Sequence, residues 1–181
     1  MSIILIGMKS CGKTTIGRLL AETMGTPFLD ADTELEQTHR QETGEALSFR
    51  QIYKSYGAAY FRALETRTLQ RIAQATGNTN FVLACGGQTP LREENQEILA
   101  TLGTIIFLHV AEDILLQRIL AHGIPAFFPY ADDPERSLHE LLAERVPVYE
   151  KLSAITVDAG KGTAGEVTHA IVREVRTYDQ H

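Results

Sequence analysis

Residues 7–15 read Gly-Met-Lys-Ser-Cys-Gly-Lys-Thr-Thr, a match to G-x-x-x-x-G-K-[ST], directly behind the apolar run Ser-Ile-Ile-Leu-Ile at 2–6. No other stretch constrains the fold as tightly. The apolar run reads as a buried strand. Past the loop, Ile16, Leu19, Leu20 and Met24 recur at three- and four-residue steps until Gly25 and Pro27 stop the helix. A strand that ends in such a loop and opens a helix aims successive backbone N–H groups at one point, where the helix N-terminus adds partial positive charge. Gly7 and Gly12 let the chain approach a phosphate with no Cβ in the way. Residues Gly7, Met8, Lys9, Ser10, Cys11, Gly12, Lys13, Thr14 and Thr15 therefore predict a cradle for a nucleotide's phosphates. Lys13 would reach the β- and γ-phosphates, and the Thr14 hydroxyl would join a Mg²⁺ shell.

The remaining apolar runs sit at 27–30, 81–84, 104–108 and 154–157, and helical patterns at 64–75, 93–102, 113–121, 136–152 and 164–175 separate them. Alternating strands and helices predict an α/β fold, a five-stranded parallel sheet with helices on both faces. Ligands of such sheets bind beyond the strands' C-terminal ends. That rule gathers the phosphate loop, 30–32, 85–88 and the loop after 108 on one rim. The 181 residues fit a single domain. Residues 32–62 are polar and helical in pattern, an inserted segment placed to receive an acceptor; 122–136 is an aperiodic, Pro- and Phe-containing lid. The net charge of −6 argues against nucleic acid or a membrane surface as partner. The N-terminal apolar run is too short for a membrane span or a secretory leader, so the expectation is a cytoplasmic monomer. Cys11 and Cys85 read as reduced thiols, and no Cys/His spacing suggests zinc.

Phosphoryl transfer needs a phosphate cradle, a metal, and a group that positions or deprotonates the acceptor hydroxyl. Phe28-Leu29-Asp30-Ala31-Asp32 offers two carboxylates at alternate positions of a strand end, one for Mg²⁺ and one for a hydroxyl proton; alternatively the pair caps the next helix. Arg62, in a segment expected to open a helix at Phe61, suits a bidentate grip on a carboxylate or phosphate, and Glu65 three residues on could orient it. Gly86-Gly87 would let a substrate touch the backbone, and Arg145 in Glu-Arg-Val-Pro-Val-Tyr-Glu offers itself to an anion.

Taken together, these motifs resemble the shikimate kinase family, on the nucleoside-monophosphate-kinase-like branch of P-loop kinases, in order and over nearly the whole chain. The resemblance implies a three-layer α/β/α P-loop kinase that uses ATP and Mg²⁺ to phosphorylate shikimate in aromatic amino-acid biosynthesis. By the same resemblance, Lys13 serves the phosphates, Thr14 the metal and Asp30 the metal through water. Asp32 would be the candidate base at the acceptor hydroxyls. Arg62, Glu65, Gly86, Gly87, Gln88 and Arg145 would contact the acceptor, and Arg118 would stack on adenine. Two positions differ from the family pattern. Gln88 replaces the third glycine of a Gly-Gly-Gly turn, placing a side chain where backbone meets substrate. Ile124-Pro125 replaces the lid's Arg-Pro step, which leaves Lys9 or Arg136 to supply the missing cation. Two other readings stay open: a kinase for another small carboxylated or polyol acceptor, and an ATP-binding, weakly active homologue with a regulatory role.

Overall fold

The computed structural model describes residues 1–125 and 127–178. Five parallel strands, β1 (Ile3–Ile6), β2 (Phe28–Asp30), β3 (Val82–Ala84), β4 (Thr104–His109) and β5 (Ile155–Asp158), form one sheet in the order β2-β3-β1-β4-β5. All five expected strands are present. Ile3, Ile4, Leu5 and Ile6 are fully buried, which is why β1 is an unbroken apolar run rather than an alternating one.

The helices are α1 (Lys13–Met24), α2 (Ala31–Thr43), α3 (Phe49–Thr76), α4 (Glu93–Leu102), α5 (Glu112–Leu120), α6 (Pro134–Leu152) and α7 (Ala164–Tyr178). The β1–β2 and β3–β4 crossovers run in opposite directions across the sheet, so right-handed connections put α1 and α4 on opposite faces. α1 packs with α7, and α4 with α3. The winding of the connections across the sheet reverses at β1, whose neighbours are β3 and β4. In register, Asp30 pairs with Ala84 and Leu5 with Ala84, so the turn after β3 lies between Asp30 and the phosphate loop.

The segment 32–62 is more structured than its sequence pattern suggested. α2 ends at Gly44, in the left-handed conformation, and α3 opens on a Ser48/Gln51 capping box. α3 breaks at Gly57 (φ +79°, ψ 175°), a conformation that only glycine adopts readily, and then continues through Arg62 and Glu65. The expected helix start at Phe61 is therefore displaced to the residues after Gly57. Leu35, Ile52 and Leu64 form a small core of their own beneath this segment. The aperiodic stretch after α5 ends earlier than expected, because Asp133 caps α6 at its Pro134 start. No helix of the described residues is long and apolar enough to cross a membrane.

Candidate active site

The loop between β1 and α1 is built for close approach. Gly7 has φ +144°, and a Cβ there would lie 2.8 Å from the Leu108 carbonyl oxygen. Ser10 is the non-glycine residue with positive φ (+66°) among those described, strain typical of a working loop. Buried Lys13 curls over the loop, its Nζ donating to the Gly7 and Met8 carbonyls at 2.8 Å each and to Cys11 Sγ at 3.5 Å. Phosphate oxygens can take over from these carbonyls as acceptors. Cys11 and Cys85 are buried free thiols, and burial pushes Cys85 up to about 12.

Asp30 uses both of its carboxylate oxygens. One oxygen accepts the Asp32 N–H at 3.1 Å and caps α2, while the other accepts the Thr14 hydroxyl at 3.0 Å. The cap fixes the carboxylate beside Thr14, giving adjacent hard oxygen donors of the kind Mg²⁺ takes. The strand-alternation argument for Asp32 fails, however: β2 stops at Asp30, and Asp32 lies in the first turn of α2. It reaches the site from the helix. Burial raises its carboxyl to about 6; Asp30 and Glu36 push the same way, and Lys13 and Arg50 oppose them.

Glu65 does not orient Arg62. No ion pair joins them among the described residues; instead Thr89 Oγ1 donates to Glu65 Oε1 at 2.9 Å. Burial lifts Glu65 to about 7, with the Thr89 hydrogen bond opposing. Gly86 marks where these groups meet. A Cβ on it would lie 3.0 Å from Thr89 Oγ1, 3.5 Å from Asp32 Oδ1 and 3.9 Å from Glu65 Oε1. The Gly87 carbonyl accepts the Tyr149 hydroxyl. Gln88 is exposed, with ordinary right-handed backbone (φ −96°, ψ −17°), so this position needs no glycine.

Arg145 is 5 % exposed on the inner face of α6, four residues before Tyr149. Its Nη1 touches Met8 Sδ at 3.8 Å, and its buried Nε has no hydrogen-bond partner among the described residues. A buried guanidinium without a carboxylate is unfavourable unless an anion completes it. Arg62 is exposed on α3. Arg118 of α5 donates to the Ala159 carbonyl at 3.3 Å and to that of Gly160 at 3.4 Å, which fixes its plane at the end of β5. Arg136 is a poor substitute for a lid cation: it pairs with Glu140 at 3.0 Å and lies 4.1 Å from the Tyr130 ring centroid, both local partners.

Several residues at the site carry no sequence pattern that marks them. Arg50, from the first turn of α3, is close enough to bias both Asp32 and Lys9. Burial, then Arg50, lowers the Lys9 ammonium, with Asp32 opposing. Thr89 likewise arrives through packing alone, and Phe127 belongs to the Phe-containing lid, although its partners Lys9 and Arg145 could not be read from the sequence. Tyr149 was visible in the Arg145 motif, one helical turn on, but only the fold shows that it holds Gly87.

The family model for shikimate kinase matches residues 9–176. A shikimate kinase of Methylococcus capsulatus is 35 % identical over 171 residues, covering 94 % of this chain and 90 % of that protein. One from Halorhodospira halophila is 32 % identical over 174 residues, covering 96 % and 93 %. Among solved structures, a shikimate kinase from Acinetobacter baumannii in complex with shikimate superposes with a TM-score of 0.83 at 30 % identity, covering 98 % of this chain and 93 % of that one.

Proposed function

The chain belongs to the shikimate kinase family, and from that premise we propose that it moves the γ-phosphoryl group of ATP to a hydroxyl of shikimate with its own residues in the following roles. The observation that carries the proposal is the Gly86-Gly87 turn: Asp32 stands beside Gly86, the Gly7 carbonyl that holds Lys13 stands beside Gly87, and Tyr149, one helical turn from buried Arg145, donates to the Gly87 carbonyl. A phosphate group, a hydroxyl and a carboxylate each find a matching side chain there.

Loop residues Gly7 to Thr15 cradle the ATP phosphates, and Lys13 exchanges its carbonyl acceptors for phosphate oxygens as negative charge develops. Thr14 and Asp30 would hold Mg²⁺, Asp30 through water; bound there, the ion neutralises phosphate charge. Arg118 presents its face to the adenine. Arg145 and Arg62 grip the acceptor's carboxylate, where a planar fork matches better than a point charge. Gly86, Gly87 and Gln88 line the acceptor's near side. Glu65, held by Thr89 and lifted towards neutrality, orients an acceptor hydroxyl. Asp32 takes the proton of the attacking hydroxyl. A carboxylate raised to about 6 stays ionised at neutral pH while being a better base than an ordinary aspartate. In this reading the chain works as one cytoplasmic domain and as a monomer, with 32–62 receiving the acceptor and 122–133 covering it.

The test is ADP release with and without shikimate, alongside ATP binding alone. Turnover that requires shikimate supports the proposal. Turnover with other polyols or acids only, or ATP binding with no turnover, overturns it.

A further inference from the structure

Phe127 lies in the stretch between α5 and α6, in contact with two cations from two other elements. Lys9 Nζ of the phosphate loop is 5.6 Å from its ring centroid, and Arg145 Cζ of α6 is 5.7 Å from it. Aromatic rings attract cations at these distances. None of the ion pairs among the described residues involves Lys9 or Arg145. The neighbouring Phe128 has a different task. It is buried in the main core, meets Phe127 edge-to-face at 5.4 Å, and donates its N–H to the Pro125 carbonyl at 3.0 Å. Phe128 thus anchors the stretch, and Phe127, only partly buried, is left to the cations.

The type of residue at this place matters. A carboxylate here would neutralise Lys9 and Arg145 and compete with any anionic ligand. A ring draws the same two cations together but leaves their charge available, and its apolar body excludes water from them. We propose that Phe127 is a positioning residue for phosphoryl transfer: its ring ties the stretch 122–133 to the phosphate loop and α6 at once, and this tie aligns the acceptor with the phosphoryl donor. The inference rests on the functional reading above, which gives Lys9 to the phosphates and Arg145 to the acceptor's carboxylate.

The experiment uses the full chain with Phe127→Leu, Phe127→Tyr, and site-specific replacement of Phe127 by mono- to trifluorinated phenylalanines. Fluorination withdraws electron density from the ring face at nearly constant size. Three readouts are taken: acceptor KM against kcat, ATP hydrolysis without acceptor, and amide hydrogen exchange across 122–133. The Leu variant is expected to raise the acceptor's KM about tenfold, the order of two lost cation–π contacts, and to speed exchange across 122–133. It should also increase the share of ATP lost to water. Tyr should match the parent, and the fluorinated series should worsen stepwise. A Leu variant equal to the parent overturns the proposal. So does a trifluorinated protein equal to the parent while Leu is impaired, since that pattern means packing alone. If the parent shows no response to shikimate, the functional reading fails, yet exchange in the fluorinated series still decides whether the tie exists: graded exchange supports it, unchanged exchange overturns it.

Discussion

At Asp32 the chemistry and the stability of the fold oppose each other. Its raised value of about 6, set first by burial, means the folded chain binds a proton more readily than the unfolded chain does. For a carboxyl shifted in this direction, the stability contribution is fully present below the unfolded value near 3.8 and is lost as pH rises through about 6. Asp32→Asn should therefore stabilise the protein at pH 8 by about 1–3 kcal/mol, with the gain vanishing near pH 4, as thermal melts at both pH values would show. The same substitution should lower kcat by about 10²-fold or more and leave ATP affinity nearly unchanged. If ATP binding collapses instead, Asp32 belongs to the metal site. In the parent, kcat/KM for the acceptor should fall below about pH 6, where the base is protonated. Lys13 has two parts to play, because its ammonium also satisfies the Gly7 and Met8 carbonyls. Lys13→Ala should thus abolish measurable turnover and also lower stability by about 1–2 kcal/mol. Unimpaired turnover would remove the phosphate loop from the mechanism.

At the scale of elements, α3 and α6 carry the two arginines proposed for the acceptor's carboxylate, and they present them by different means. α3 does so through its break: the turn at Gly57 sets the direction of the half that carries Arg62 and Glu65. Gly57→Ala has open space for its methyl but a backbone that Ala rarely adopts. It should cost about 1–3 kcal/mol in denaturant unfolding and raise the acceptor's KM with little change in that for ATP. Equal effects on both would mean the break serves the fold alone. α6 instead buries Arg145 and braces the Gly87 carbonyl with Tyr149 one turn on. Arg62→Lys and Arg145→Lys should each weaken acceptor binding, Arg145→Lys about tenfold or more, because a lysine keeps the charge and loses the fork. An acceptor KM unmoved in both variants would mean that no carboxylate binds there. These elements also show where sequence patterns run out. β1, β3 and β4 were legible because burial on both faces makes each a compact apolar run, while the edge strands β2 and β5 are only partly buried and were read from short apolar stretches. The break in α3 was not, because 32–62 is polar, its small core of Leu35, Ile52 and Leu64 is spread over 30 residues, and a lone glycine marks the turn. Arg50 and Thr89 belong to no local pattern, and the Phe-containing lid does not reveal Phe127's partners; only the packing of α3, the turn after β3 and the stretch before α6 brings them to Asp32, Glu65 and Arg145.

Across the whole molecule, the parallel order β2-β3-β1-β4-β5 is what makes a site from residues so far apart in the chain. Placing β3 between β1 and β2 puts Gly86-Gly87 between the phosphate loop and Asp30, and α6 closes over the same rim through Tyr149. The motif at 7–15 made the nucleotide end of this rim readable from sequence, since one contiguous segment builds it. The acceptor end draws on α2, α3, the turn after β3 and α6, so individual residues were readable while their partners were not. Glu65 is the clearest case, paired with Thr89 where Arg62 was expected. The central claim is that these two ends meet on one acceptor, and coupled turnover tests it most directly. Purified protein is mixed with ATP and Mg²⁺, ADP is followed continuously, and shikimate is then added. Little ADP is expected before the addition, saturable ADP formation after it, and one phosphorylated shikimate per ADP. ADP formation indifferent to shikimate, or ADP in excess of phosphorylated product, would contradict it.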